Sequence, residues 1–162
     1  MMPALPRFFE MLVRDAPDAI VYADSEGIIR FWNGGAERIF GFDAVEAVGQ
    51  SLDIIIPDNQ RARHWEGYRA VMRSGTSRYG AGDLLAVPGL RKDGARISLE
   101  FTIVPIHGDD GRLCGIAAIL RDVTKRFAEM KELRRQLAAQ GAALSDETGF
   151  HRRPATYPLK RR

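Results

Sequence analysis

Residues 16–42 read APDAIVYADSEGIIRFWNGGAERIFGF, and this stretch decides how the chain folds. Its segments AIVYA and IIRFW are rich in β-branched and aromatic residues, and turn-forming residues from Asp24 to Gly27 separate them. This pattern predicts two antiparallel strands. Asn33 stands where it can cap a short helix, GGAERIF, which Gly41 ends. The stretch therefore predicts a strand pair that leads directly into a helix.

Downstream of this stretch, the sequence predicts further helices and then three strands. Asp43 and Glu46 have the spacing of a capping box at the start of a second short helix. Pro57 opens a longer helix, PDNQRARHWEGYRAVMRSG, which Gly75 closes. The extended segments LLAVPGL, RISLEFTIVPI and LCGIAAILRDV follow. The whole order predicts an α+β fold with a five-stranded antiparallel sheet and helices on one side.

Apolar residues at helical spacing mark both ends of the chain. The N-terminal helix has an apolar face made of Leu5, Phe8, Phe9, Leu12 and Val13. The last helix carries a seam spaced by sevens, made of Val123, Met130, Leu137 and Leu144. A second seam begins at Phe127 but is interrupted by Arg134 and Gly141. We expect a cap helix over 1–16, the main domain over 17–124, an exit helix over 125–142 and a disordered basic tail over 143–162.

Composition and charge limit the classes of function. Apolar residues make up 45% and charged residues 28% of the 162 residues, as in a globular protein. The net charge is +3, but residues 149–162 carry +5, which leaves −2 for residues 1–148. The main domain is therefore not basic, and we expect no nucleic-acid-binding domain. We read no signal peptide and no membrane span, which predicts a cytoplasmic protein.

In this order and spacing, these segments resemble the PAS domain family of bacterial sensory modules. The resemblance rests on residues 16–42, on AVEAVGQSLDIIIP, on the RKDG turn before RISLEFTIVPI, and on RDVT at the end of the last strand. It covers about two thirds of the chain and implies a curved sheet that encloses an apolar pocket. It also implies that Asp122 and Thr124 lie where the sheet meets the exit helix and relay a signal between them. Both side chains can cap that helix, and Asp122 can bond back to the core. The other reading is a plain N-cap.

Helix periodicity indicates which side chains face that pocket. At about 100° per residue, one arc of the longer helix contains His64, Trp65, Tyr68, Val71 and Met72. In the strand RISLEFTIVPI, alternate residues share one face. We expect the sheet to contribute Leu99, Phe101, Ile103 and Ile119 to the pocket.

A narrower resemblance concerns the segment IIIPDNQRARH, residues 54–64, which is similar to the haem-binding PAS domains of FixL-type oxygen sensors. The resemblance implies that His64 is the proximal ligand of a haem iron, and a neutral imidazole is a good iron ligand. Two features depart from that pattern. Asp83 stands where those sensors have an arginine that binds oxygen, and Gly67 lies between His64 and Tyr68. The other reading is that His64 only packs or bonds to backbone.

Other chemistries have less support. A flavin photosensor of the light-oxygen-voltage type needs a cysteine on its helix, whereas the one cysteine here, Cys114, lies in the last strand, where we expect it to be buried. His64, His107 and His151 are isolated from one another, and no phosphate-binding loop is present. We therefore expect no enzymatic activity.

The sequence thus predicts a PAS sensor module that binds a small ligand, with haem as the named candidate. It is expected to pass its signal on through a homodimer formed by the N-terminal and exit helices, or through a partner that is a histidine kinase or transcription regulator. The alternative is a PAS module without a ligand whose function is dimerisation and protein binding. A third reading assigns the tail HRRPATYPLKRR to nucleic acid or acidic partners, although a solvated terminus is the simpler interpretation.

Overall fold

The computed structural model describes residues 4–76 and 84–147, in which five strands form one antiparallel sheet in the order β2-β1-β5-β4-β3. The strands are β1 (Ala19–Asp24), β2 (Ile29–Trp32), β3 (Leu85–Leu90), β4 (Arg96–His107) and β5 (Leu113–Asp122). The helices are α1 (Leu5–Asp15), α2 (Gly34–Phe40), α3 (Ala44–Ala47), α4 (Asp58–Ser74) and α5 (Thr124–Glu147). The predicted α+β class and five-stranded sheet are confirmed.

Local capping signals define the short helices between β2 and α4. Asn33 caps α2 by accepting the Ala36 N–H, and Gly41 ends that helix in a left-handed conformation. The Glu46 carboxylate accepts the Asp43 N–H at 3.0 Å, which is the reciprocal bond of the predicted capping box. A 3₁₀ helix at Leu52–Ile55 follows, which the sequence did not predict.

The core lies between one face of the sheet and the helices from α2 to α4. Strand alternation decides which side chains enter it, because successive residues point to opposite faces. The buried apolar residues of the sheet include Ala19, Val21, Ala23, Ile97, Leu99, Ile116 and Leu120. Leu52, Ile55 and Tyr68 cover them from the helical side.

Asn33 is the one buried polar residue in the core of the described ranges, and its side chain is fully hydrogen-bonded. Its Oδ1 accepts the Ile20 N–H at 2.8 Å and the Ala36 N–H at 2.9 Å. Its Nδ2 donates to the carbonyls of Val13 and Asp18, each at 3.0 Å. One amide therefore joins the end of α1, the entry to β1 and the start of α2, which the prediction of a simple cap did not include.

Cys114 is exposed, which corrects the prediction that it is buried. In the pairing of β4 with β5, Ile106 lies opposite Gly115 and His107 opposite Leu113, so Cys114 is an extra residue at a bulge. A bulge residue leaves the regular alternation of the strand, and the sequence pattern around it does not reveal this shift.

The described residues up to Thr124 form one compact unit, and those from Lys125 onward form another. Large apolar side chains of α5 are exposed, among them Phe127, Met130, Leu133 and Leu137. Val123, predicted to start the α5 seam, is instead buried in the core of the first unit. The helix continues past the predicted end at 142 to Glu147.

Some predictions fall outside what the structure describes. The side chain of Leu144 and the surroundings of Gly141 lie outside what is described, as does the segment 77–83 that contains Asp83. The tail from 148 to 162 is also outside the described residues. Within the ranges that are described, no helix has both the length and the apolar character that a bilayer crossing requires.

Candidate functional site

A cavity of about 490 Å³ lies between α4 and the inner face of the sheet. Its volume is within the range of roughly 300–1,000 Å³ that small-molecule sites occupy. Apolar side chains of β1, β3, β4, β5 and the 3₁₀ helix form most of the wall. Polar lining residues in the described part of the chain come from α4 alone, and they are Gln60, Arg63, His64 and Tyr68.

Six of the residues predicted to face the pocket meet at this cavity: His64, Tyr68, Val71, Leu99, Phe101 and Ile103. The three helical residues lie on successive turns of one face of α4, and the three from β4 alternate along the strand on its inner face. The periodicity of each element therefore places them together, as the sequence indicated.

Trp65, Met72 and Ile119 do not line the cavity. Ile119 lies opposite Ile20 and Thr102 and is exposed, because Ala118 and Leu120 occupy the inward positions of β5. Trp65 and Met72 pack against the core beside the cavity. Helix periodicity predicts a broad apolar face. Residues at the edges of that face, such as Trp65 and Met72, pack against the neighbouring core and do not reach the cavity.

His64 is partly buried, and its Nδ1 has no hydrogen-bond partner among the described residues. Burial lowers the pKa of its imidazole from the usual value, and nearby Asp53 opposes this with a smaller effect. The ring is therefore neutral at pH 7. A buried polar atom without a partner costs about 1–3 kcal/mol. His64 thus has an unused nitrogen beside an apolar cavity.

The aromatic neighbours of His64 hold α4 against β1 and the 3₁₀ helix. The Tyr68 hydroxyl donates towards the carbonyls of Ala23 and Asp24, at 3.1 Å and 2.6 Å, and burial raises its pKa well above the usual value. The Trp65 Nε1–H donates to Asp53 Oδ1 at 2.8 Å. The His64 ring lies 5.0 Å from the Trp65 ring and 5.8 Å from the Tyr68 ring, centre to centre. The hydrogen bonds of Tyr68 and Trp65 hold α4 in place, and α4 forms one wall of the cavity.

At the end of β5, the two predicted relay residues are bonded to each other. Asp122 Oδ1 accepts the Thr124 N–H at 2.9 Å and also the Thr124 hydroxyl. Thr124 Oγ1 accepts the Ser98 N–H of β4 at 2.9 Å. The sequence suggested that Asp122 bonds back to the core, whereas Thr124 makes that bond.

Sequence reasoning missed several lining groups. Leu52 and Ile55 come from the unpredicted 3₁₀ helix, and residues 85–88 of β3 complete the wall. Arg63 and Gln60 carried no distinctive sequence signal, since charged and polar residues on a helix usually face solvent. Among the described residues, no cluster of three or more histidine, cysteine or acidic side chains can hold a metal ion.

Comparison with known proteins agrees with this architecture. A family profile for the PAS fold matches residues 13–128. The sensor protein FixL of Bradyrhizobium diazoefficiens is 29% identical over 127 residues, which are 78% of this chain and 25% of FixL. The oxygen sensor protein DosP of Escherichia coli is 26% identical over 132 residues, which are 82% of this chain and 16% of DosP. The chain thus spans a quarter or less of these relatives.

A solved structure shows the same fold. A PAS domain from Colwellia psychrerythraea superposes with a TM-score of 0.66 at 24% sequence identity, covering 75% of this chain and 99% of that one. At this level of identity, the likeness establishes the arrangement of strands and helices and says nothing about a ligand.

Proposed function

This chain belongs to the PAS-fold family of sensory domains, and we propose that its cavity binds a small, largely apolar molecule, with haem held by His64 as the named candidate. The observation that carries the proposal is that His64, whose Nδ1 has no hydrogen-bond partner among the described residues, lines a largely apolar cavity. The names of two relatives, a sensor protein and an oxygen sensor protein, are consistent with it. We propose no catalytic activity.

The residues of the cavity fit haem in their chemistry. A histidine binds iron only when its imidazole is neutral, and burial favours that form of His64 by lowering its pKa. Leu99, Phe101 and Ile103 provide apolar walls that exclude water from the ring. When bound through one histidine, haem supplies an open coordination position for a small gas. His64 would hold the iron, and Tyr68 would keep its own hydroxyl on the backbone, away from the ring.

Replacing His64 tests this proposal directly. Purified wild-type protein supplied with haemin under reducing conditions is expected to show a sharp Soret band, and His64→Ala is expected to lose it, since the only proposed iron ligand is gone. His107→Ala, at an exposed histidine of β4, is the matched control and retains the band. Circular dichroism establishes that each variant is folded. A featureless spectrum in the wild type, or a band unaffected by His64→Ala, contradicts haem binding through this residue.

We further propose that α1 and α5 pair with a second copy of the chain. Apolar residues of α1 are exposed, with Leu5, Phe9 and Leu12 each more than half accessible. The apolar side chains of α5 are similarly exposed, including Phe127 and Leu137. Burying each such side chain stabilises a complex by roughly 1.5–3 kcal/mol. Alternatively, the chain is a dimerisation module whose cavity has no ligand, and the same exposed faces are the observation that favours this function.

The relay from the cavity to α5 is proposed to run through Ser98 and Thr124. Leu99 lines the cavity, and its neighbour Ser98 donates its N–H to Thr124 and accepts the Val123 N–H at 2.8 Å. A displacement of β4 therefore reaches Thr124, the first residue of α5, through one hydrogen bond and the preceding Val123 through another. Asp122 positions Thr124 for this contact by accepting its N–H.

Sedimentation equilibrium with and without haemin tests the dimer and the relay together. Haemin is expected to change the dimer dissociation constant of the wild type severalfold and to leave that of Thr124→Val unchanged, because valine keeps the shape but loses the bond to Ser98. Thr102→Val, a matched substitution on β4, responds like the wild type. A protein that stays monomeric contradicts the proposed dimer, and an equal response in Thr124→Val contradicts the relay.

A further inference from the structure

We propose that the ligand of this cavity carries a carboxylate on an apolar body, and that the Arg63 guanidinium together with the Gln60 amide binds that carboxylate where the cavity opens to solvent. This inference rests on the proposed function, because it names the chemical class of the molecule that the cavity holds.

The charge of the cavity is the first observation. Arg63 is the only charged side chain among the described lining residues, and no aspartate or glutamate stands among them. Two other arginines of the same unit are paired with acids: Arg121 with Asp18 at 2.6 Å, and Arg61 with Asp58 at 2.8 Å. Arg63 has no ion-pair or hydrogen-bond partner in the described part of the chain. Among the described residues, the cavity lining therefore carries one positive charge and no negative charge.

The position of that charge is the second observation. Arg63 is exposed, whereas most of the wall is apolar, so the guanidinium lies at the boundary between the cavity and solvent. Gln60 precedes it by three residues on α4, and residues three apart share one face of a helix. The Gln60 side-chain amide makes no hydrogen bond within the described residues and can add a donor beside the guanidinium.

The other polar lining residues, Tyr68 and His64, are less suited to bind a carboxylate than Arg63 and Gln60. The Tyr68 hydroxyl is already bonded to two backbone carbonyls. His64 is neutral, so it offers no charge to an anion. A guanidinium presents two parallel N–H donors that match the two oxygens of a carboxylate. The apolar volume behind Arg63 selects against small hydrated anions, since they would leave that volume unfilled.

Calorimetric titration with decanoate and decanol tests the inference, because the two probes share a chain and differ in charge. Decanoate is expected to bind the wild type, and Arg63→Gln is expected to weaken it by about tenfold. Decanol binding should change by less than about twofold in the same variant. Arg69→Gln, at an exposed α4 arginine that does not line the cavity, should bind both probes as the wild type does.

Haemin and its dimethyl ester distinguish the two sources of a carboxylate, a porphyrin and a fatty acid. If the natural ligand is haem, Arg63→Gln weakens haemin and spares the ester, while both still give a Soret band that depends on His64. If it is a fatty acid, decanoate shows the Arg63 dependence and haemin gives no such band. Either result supports a carboxylate at Arg63.

Two results overturn the inference and differ in what they leave standing. Equal loss of decanoate and decanol in Arg63→Gln, or no loss of decanoate, removes the role of Arg63, and the proposed ligand-binding function survives. Absence of binding by all four molecules to the wild type overturns both proposals and leaves the dimerisation module.

Discussion

Asn33→Ala is expected to lower the free energy of unfolding by about 3–5 kcal/mol. The Asn33 side chain is 2% exposed and makes four hydrogen bonds, with the N–H groups of Ile20 and Ala36 and the carbonyls of Val13 and Asp18. Alanine satisfies none of these groups and also removes the cap of α2. Each buried group left without a partner costs about 1–3 kcal/mol, although water entering the space recovers part of that.

Urea unfolding followed by circular dichroism measures this loss. Asn59→Ala is the control, because Asn59 is an exposed asparagine of α4, and its replacement should change stability by less than about 0.5 kcal/mol. If Asn33→Ala lowered the free energy of unfolding no more than Asn59→Ala does, the connection between α1, β1 and α2 would not depend on the Asn33 amide. Loss of order confined to α1 would show that the bond to Val13 dominates.

Gly27→Ala is expected to destabilise the protein by about 2–4 kcal/mol and to move Trp65. Gly27 has φ +76°, and an added Cβ would lie 2.2 Å from Trp65 Cη2 and 2.3 Å from Cζ3. The left-handed conformation costs a side chain about 1 kcal/mol, and the overlap with the indole adds about 1–3 kcal/mol. Because the Trp65 Nε1–H is bonded to Asp53, the ring cannot shift without losing that bond.

Gly94→Ala separates the two costs. Gly94 has φ +82° but has no atom within 4 Å of an added Cβ, so only the backbone cost of about 1 kcal/mol is expected. Denaturant unfolding gives the difference between the variants, and tryptophan fluorescence should change in Gly27→Ala alone. Equal destabilisation of the two variants would mean that the Trp65 contact contributes nothing. Since His64 adjoins Trp65 on α4, haemin affinity in Gly27→Ala reports whether the indole positions the imidazole.

Local signals in the sequence predicted the five α-helices and the five strands, but not the 3₁₀ helix Leu52–Ile55. Asn33 and Gly41 bracket α2 as predicted, and Asp43 and Glu46 start α3, because a cap depends only on residues within one turn. Alternation along β4 correctly placed Leu99, Phe101 and Ile103 on one face. These features follow from backbone geometry that neighbouring residues impose, and they were enough to identify the fold.

Tertiary structure alone decided what meets at the cavity. The register of β5 turned Ile119 outward, and the exact rotation of α4 moved Trp65 and Met72 to the side while bringing Arg63 to the opening. Likewise, the Asn33 bonds to Val13 and Asp18 join segments that are far apart along the chain. A shift of one residue in a strand, or a modest rotation of a helix, changes which side chains face inward without changing the local pattern. Packing between distant elements sets the register and the rotation. The local sequence could therefore predict only some of the residues that line the cavity.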